Sequence, residues 1–231
     1  MLCNFTSKLL LMITTLIFDL DGTLLNTIKD LALSCNHVLK QHGFPEHTED
    51  EYRYFVGNGM AKLVERALPE DKRTSEFIEP ILKELINYYY QHKQDNTQPY
   101  DGVKEMLQKL QSENYKLAVA SNKMDSAVQD LVKRYFPEIQ FSVVYGQRED
   151  IHPKPAPRII QNILDALQIE PYEALIVGDS ATDMLTAINS GIKGIGVQWG
   201  FRTKEELLLN GANYTIKNPS QIFEILQVVS H

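Results

Sequence analysis

One octapeptide constrains this chain more than any other part of it. Leu16-Ile17-Phe18-Asp19-Leu20-Asp21-Gly22-Thr23 is a short apolar run that stops in two carboxylates and a glycine. Such a run reads as a strand of a parallel sheet, buried on both faces, that opens onto a polar loop at its carboxyl end. Side chains alternate along an extended backbone, so Asp19 and Asp21 project to the same side. Neighbouring carboxylates repel each other unless a cation intervenes or one of them holds a proton. The first outcome makes a metal site and the second a proton donor. A strand followed by an ordinary Asp-Gly turn is the plainer reading, and the rest of the chain decides between them.

After Thr23 the apolar period changes. Ile28, Leu31, Cys35, Val38 and Leu39 recur at helical spacing until Gly43 and Pro45 end the run. Thr48 and Glu51 fit a capping box that opens a short helix through Phe55, and Gly57-Asn58-Gly59 forces a turn. The spacing predicts further helices over 60–68 and 75–92, so residues 26–96 read as helices only. From Tyr100 onward helices and strands alternate. Helices are expected over 103–110, 128–136, 159–167, 184–188, 205–209 and 222–229, and strands over 117–120, 141–145, 174–177, 195–197 and 214–216. That alternation predicts an α/β fold, a doubly wound, Rossmann-like parallel sheet with helices on both faces. The core takes residues 12–25 and 97–231, and residues 26–96 form an inserted α-helical cap domain. Ligands of such sheets sit beyond the carboxyl ends of the strands. The insertion leaves from that edge, where it can act as a lid.

Composition narrows the function classes. With 231 residues, 43% hydrophobic and 23% charged, the chain has the make-up of a soluble globular protein. A formal charge of -7 argues against a nucleic-acid partner. The apolar stretch Leu9 to Ile13 is too short to span a bilayer, and it flows into the acidic motif without a signal-peptide cleavage site. No membrane partner is expected. Residues 1–11 read as a loose extension, with Met12 as an alternative to Met1 as the true start. Cys3 and Cys35 have no metal-ligand spacing, which fits a reducing cytoplasm, and the six histidines are scattered. The sequence specifies no oligomeric state.

Four expected strand ends carry polar residues of related character: Asp19 and Asp21, then Ser121-Asn122, then Lys154, then Gly178-Asp179-Ser180 with Asp183. Taken singly, Ser121-Asn122 fit a helix cap before Asp125, Lys154 a surface charge and Asp183 a helix N-terminus. Together they supply the parts of phosphoryl transfer. These are an oxygen nucleophile, carboxylates for a hard divalent cation, a hydroxyl and an amide for phosphoryl oxygens, and a lysine to neutralise charge. Mg²⁺ keeps several waters and needs few protein carboxylates, so Asp19 and Asp179 suffice.

The set resembles the haloacid dehalogenase-like superfamily, and most closely its phosphoglycolate phosphatase-like branch. The residues that carry the likeness are Asp19-Leu20-Asp21-Gly22-Thr23, Ser121-Asn122, Lys154 within Lys154-Pro155-Ala156-Pro157, and Gly178-Asp179-Ser180-Ala181-Thr182-Asp183. The resemblance implies a Mg²⁺-dependent phosphatase of small phosphate monoesters, with 2-phosphoglycolate the expected substrate. It implies that Asp19 is the nucleophile that forms an aspartyl-phosphate and that Asp21 protonates the leaving group, its main-chain carbonyl also on the metal. Gly22, Ser121, Asn122 and Lys154 would hold the phosphoryl group. Asp179 and Asp183 would ligate the metal. Asn26-Thr27 stands where those relatives often carry Asp-Ser.

A substrate carboxylate calls for a cation or exposed N–H groups in the cap, which makes Arg53, Lys62, Arg66, Gly57, Asn58 and Gly59 the specificity candidates. The same residues also fit solvated helix charges and a helix-helix turn, and Tyr88-Tyr89-Tyr90 fits cap packing. Gly200-Phe201-Arg202-Thr203 adds to the likeness. A sugar phosphomutase, a pyrophosphatase and a nucleotidase share the motifs. A phospho-aspartate receiver module shares much of the constellation, but it lacks the helical insertion and the second aspartate two residues after the first.

Overall fold

The computed structural model describes residues 13–149 and 151–229. Cys3, His231, the extension before Met12 and Met12 itself lie outside the described residues.

β1 (Thr15–Phe18) is buried along its whole length because it is paired on both sides. The chain then makes β2 (Leu25–Asn26), α1 (Ile28–Gln41), α2 (Glu49–Phe55), α3 (Met60–Ala67) and α4 (Ser75–His92). It returns through β3 (Gln98–Pro99) to α5 (Val103–Ser112), β4 (Lys116–Met124), α6 (Asp125–Tyr135) and β5 (Phe141–Gln147). The rest alternates: α7 (Arg158–Leu167), β6 (Ala174–Gly178), α8 (Ala181–Ser190), β7 (Lys193–Val197), α9 (Lys204–Leu209), β8 (Tyr214–Ile216) and α10 (Ile222–Val229). The sheet runs β5-β4-β1-β6-β7-β8, and every pairing in it is parallel.

Strand alternation sorts the apolar residues into two layers. Leu16, Phe18, Val119 and Val177 face α5, α6 and α10 in one cluster. Ile17, Ala118 and Ile176 face α7 and α8 in another. At roughly 25 cal/mol per Å² of apolar surface, this two-sided burial is the main term that holds the sheet. The cap helices have a core of their own, built on Ile28, Leu39, Tyr52, Leu63, Val64, Ile81 and Leu85. The capping box at Thr48 and Glu51 is formed, and the expected 75–92 and 222–229 helices appear with those bounds.

Three local differences from the sequence expectation have physical causes. Residues 26–96 are not helices alone: Leu25–Asn26 pairs antiparallel with Gln98–Pro99, so a two-stranded ribbon joins cap to sheet. Strands of two residues carry no periodicity to detect. β4 runs beyond Ala120 through Ser121, Asn122 and Lys123 to Met124, which pairs with Gln147 across a register shift. α6 and α8 begin three residues earlier than their apolar pattern, because their first turns are polar. Among the described residues no helix is long and apolar enough to cross a membrane.

Candidate active site

β5, β4, β1 and β6 are neighbours in the sheet, and all four expected motifs lie at or just beyond their carboxyl ends. Asp19 continues the line of β1, its N–H donating to the Val177 carbonyl at 2.9 Å. Leu20 is fully buried between the two acids, so Asp19 and Asp21 turn outward on the same side. Gly22 then takes φ +86°, and a Cβ there would run into the Asp179 carboxylate. Glycine is required at this position both for the turn and for clearance.

Lys154 follows β5 and is 5% exposed, so it is no surface charge. Its Nζ donates to Asp19 Oδ1 at 2.8 Å, Asp183 Oδ1 at 2.7 Å and the Ala120 carbonyl at 2.8 Å, which uses all its donors. Asn122 holds the lysine in place. Its Oδ1 accepts from Lys154 N at 2.7 Å, and its Nδ2 donates to the Lys154 carbonyl at 3.0 Å and to the Gly57 carbonyl of the cap at 3.2 Å. Neither Ser121 nor Asn122 caps α6, whose N-terminus has no side-chain cap; Ser121 Oγ accepts from Lys123 N at 3.2 Å. Asp183 meets both of its readings. One oxygen closes a capping box with Ser180 and the other takes the lysine.

Asp19, Asp179 and Asp183 each offer an oxygen within 4.8 Å of the others. Asp179 accepts from Phe201 N at 2.7 Å and from Thr23 Oγ1 at 3.2 Å. Burial pushes the Asp19 carboxyl up to about 7 against the pull of Lys154, with Asp183 adding to the rise. Burial, then the charges of Asp183 and Asp19, push Asp179 well above the ordinary carboxylate range. Burial works against the charge on Lys154, but Asp183 and Asp19 outweigh it and hold the ammonium above its usual range. When all three carboxylates are ionised, the one ammonium, which pairs with Asp19 and Asp183, leaves a deficit of two positive charges in an all-oxygen donor set. That is the complement of a hard divalent cation, so the residues fit Mg²⁺.

Asp21 takes no part in this cluster. Both its oxygens accept from Lys123 Nζ, at 2.9 and 3.0 Å. Lys123 lies under the Tyr89 ring of the cap, 4.7 Å from its centroid, so Tyr89 reaches the site in addition to packing in the cap core. Burial opposes its charge and Asp21 outweighs that, so Lys123 also titrates above the ordinary lysine range.

The cap places its candidates unevenly. Gly57 and Gly59 border the cavity together with Asp19, Asp21, Ser121, Asp179 and the apolar Val56, Met60 and Leu63. Asn58 bridges cap and core, donating to Thr182 Oγ1 at 2.9 Å and accepting from Arg66 at 2.8 Å. Arg66 also donates to the Phe55 carbonyl at 2.9 Å, so it braces the turn and does not border the cavity. Lys62 pairs with Glu65 and Arg53 with Asp50; neither borders the cavity.

Two cavity residues escaped the sequence reading. Lys123 follows Ser121-Asn122 in the irregular end of β4, where all three consecutive residues border the cavity, so no alternation in the sequence marked it. Arg202, noted there only as part of a likeness, donates to the cap carbonyls of Arg53 and, at 3.2 Å, Val56, and pairs with Glu206 at 3.2 Å. Before it, Phe201 packs into the cap core, and Gly200 lies so close to Asp179 that a Cβ would collide with it.

Comparison with known proteins agrees with this geometry. Residues 16–197 match the family described as haloacid dehalogenase-like hydrolase. The chain is 32% identical over 218 residues to the phosphoglycolate phosphatase of Vibrio vulnificus, covering 91% of this chain and 95% of that one. It is 30% identical over 213 residues to that of Aquifex aeolicus, with the same coverage. A crystal structure from Lactobacillus delbrueckii subsp. bulgaricus is similar at TM-score 0.88 and 31% identity, covering 92% of this chain and 98% of that one. The chain therefore belongs to the haloacid dehalogenase-like hydrolases, as a phosphatase of their phosphoglycolate phosphatase-like branch.

Proposed function

We propose that this chain hydrolyses 2-phosphoglycolate with Mg²⁺ through an aspartyl-phosphate on Asp19. The observation that carries the reading is the cluster of Asp19, Asp179 and Asp183, two of them paired with the Lys154 ammonium, with Asp21 beside it. The carboxylate oxygens of those three acids and the Asp21 main-chain carbonyl would hold the metal, which supplies charge neutralisation for the phosphoryl oxygens.

Asp19 Oδ attacks phosphorus while the bond to the ester oxygen breaks, and Asp21 gives its proton to the departing alkoxide. In the second half Asp21 takes a proton from water, whose oxygen attacks the same phosphorus and releases inorganic phosphate, restoring Asp19. Lys154 keeps Asp19 in place and meets the phosphoryl charge, with the Ser121 hydroxyl as a further phosphoryl contact. The Gly22 N–H is spent on the Leu25 carbonyl at 2.9 Å and the Asn122 amide on the Lys154 and Gly57 carbonyls, so these two expected contacts shape the site instead. Residues 26–96 act as the lid, hinged where Leu25–Asn26 meets Gln98–Pro99, and exclude water when closed.

Support for the substrate comes from the relatives named phosphoglycolate phosphatase and from a cavity that pairs carboxylates, Lys123 and Arg202 with apolar cap residues. We place the protein in the reducing cytoplasm, which accords with its free, buried Cys35. The test is steady-state turnover of 2-phosphoglycolate, sugar phosphates, nucleotides and pyrophosphate with Mg²⁺, before and after chelation. We expect kcat/KM to be highest for 2-phosphoglycolate, turnover to stop on chelation, and Asp19→Asn to be inactive while folded. Full activity after chelation, or substantial activity in the folded Asn variant, would refute the mechanism.

A further inference from the structure

We propose that Lys123 is the specificity residue of this site and receives a carboxylate carried by the leaving group one carbon from the ester oxygen. The inference rests on the phosphatase reading above and names the subsite that the reading leaves unassigned.

The argument begins with Asp21, the group that faces the ester oxygen. Lys123 Nζ lies 2.9 and 3.0 Å from the two oxygens of Asp21, so the ammonium is one hydrogen-bond length beyond the acid that meets the leaving group. In 2-phosphoglycolate the carboxylate carbon is two bonds from that ester oxygen. A substrate seated on Asp19 therefore brings its carboxylate into reach of Lys123. Both residues border the same cavity, and Lys123 is 8% exposed, so an ion pair formed there is shielded from solvent.

The other cations near the cavity are committed elsewhere. Lys154 spends its three donors on Asp19, Asp183 and the Ala120 carbonyl. Arg202 is held by two cap carbonyls and Glu206. Lys123 differs from these because its partner is itself a catalytic group that must turn to the substrate. When a substrate carboxylate takes the ammonium, Asp21 is released from the ion pair and free to meet the ester oxygen. A phosphate ester with a neutral leaving group makes no such exchange, and selectivity follows from that difference.

The experiment compares the parent and Lys123→Met on 2-phosphoglycolate, on its uncharged isostere 2-phosphoglycolamide and on pyrophosphate. Because the substrates are compared within one preparation, any unfolded fraction cancels from their ratios. We expect the parent to prefer the carboxylate over the amide. The variant should lose turnover on both, since Asp21 loses its partner, and lose a further 10- to 100-fold or so on the carboxylate, which erases the preference. A variant that keeps the parent's carboxylate-to-amide ratio would show that Lys123 only holds Asp21, and would overturn the proposal. If the parent does not favour 2-phosphoglycolate but the variant selectively loses pyrophosphate, the anion subsite stands and the substrate assignment fails. If neither anionic substrate suffers selectively, the subsite is refuted whichever ester the enzyme prefers.

Discussion

Removal of one carboxylate at the base of the cap should weaken the whole molecule. Asp30, in the first turn of α1 and 2% exposed, accepts from the main-chain N–H of Asn96 at 2.9 and 3.0 Å and of Thr97 at 2.8 Å. It also accepts from Asn96 Nδ2 and Thr97 Oγ1, each at 2.8 Å. The carboxylate thus ties the segment that leaves the sheet to the segment that returns to it. Asp30→Ala leaves those donors unpaired, and Thr97 is only 3% exposed. A buried donor left unpaired costs about 1–3 kcal/mol. Water reaches the half-buried Asn96 more easily than Thr97, so about 4 kcal/mol is the expected total for the site. For a chain of this size each kcal/mol moves Tm by about 2–4 °C, so the variant should melt about 8–16 °C lower. Asp30→Asn keeps one acceptor oxygen and should fall about half as far. Thermal unfolding followed by circular dichroism reads both variants. An Ala variant that melts within about 3 °C of the parent would refute the reasoning, because the donors would then have found other partners.

Two further outcomes follow from the charge of the site. Asp19 titrates near 7, so below that pH a bound metal must displace its proton, and Mg²⁺ affinity should weaken by up to about tenfold per pH unit as pH falls from 7 to 5. Calorimetric titration at pH 8, 7 and 6 tests this, and an unchanged affinity across the range would contradict it. Asp179 is a carboxyl raised by burial, so the folded chain binds its proton more tightly than the unfolded chain does, and stability is lost as pH rises above the ordinary carboxylate range. Asp179→Asn removes that penalty while keeping an oxygen for Phe201 N. Without metal at pH 8 its Tm should equal or exceed the parent's, whereas Mg²⁺ should no longer raise it and turnover should fall more than about 100-fold. A clearly lower metal-free Tm would sink the argument.

The sequence was legible where one physical signal dominates. Leu16 to Phe18 and Ala174 to Gly178 are apolar throughout because both faces of the sheet are covered, and the acids that follow them mark the site once the four strand ends are taken together. Lys154 and Asp183 have no such marker; it was their place beyond strand ends, added to the other motifs, that singled them out. The specificity residues were harder. Arg53, Lys62 and Arg66 sit on α2 and α3, but Lys62 is taken up by Glu65 and Arg66 by the Phe55 carbonyl with Asn58, while Arg53 lies beside the exposed Asp50 with its buried Nε making no hydrogen bond among the described residues. Sequence can locate a cation on an element, but not which neighbour consumes it. Lys123 was missed for the opposite reason: a buried lysine inside a strand is intelligible only once Asp21 is seen across from it. The ribbon of Leu25–Asn26 with Gln98–Pro99 and the Asp30 clamp are both long-range in sequence, so local pattern carried no trace of them.

The segment after β7 links the cap to the carboxylate cluster. Trp199 Nε1 donates to the Thr23 carbonyl at 3.0 Å, within the loop that presents Asp19 and Asp21. Two residues later Phe201 gives its N–H to Asp179 and its ring to the cap core, and Arg202 then caps carbonyls of the cap itself. A movement of the cap that withdraws the Phe201 ring therefore pulls on the N–H that orients Asp179. Conversely, a cation that fixes Asp179 also fixes the anchor on which the cap rests. Whatever binds one of the two arrangements more tightly shifts the other by the same free energy. The carboxylates at the strand ends and the cap above them are thus joined through four consecutive residues, Trp199 to Arg202.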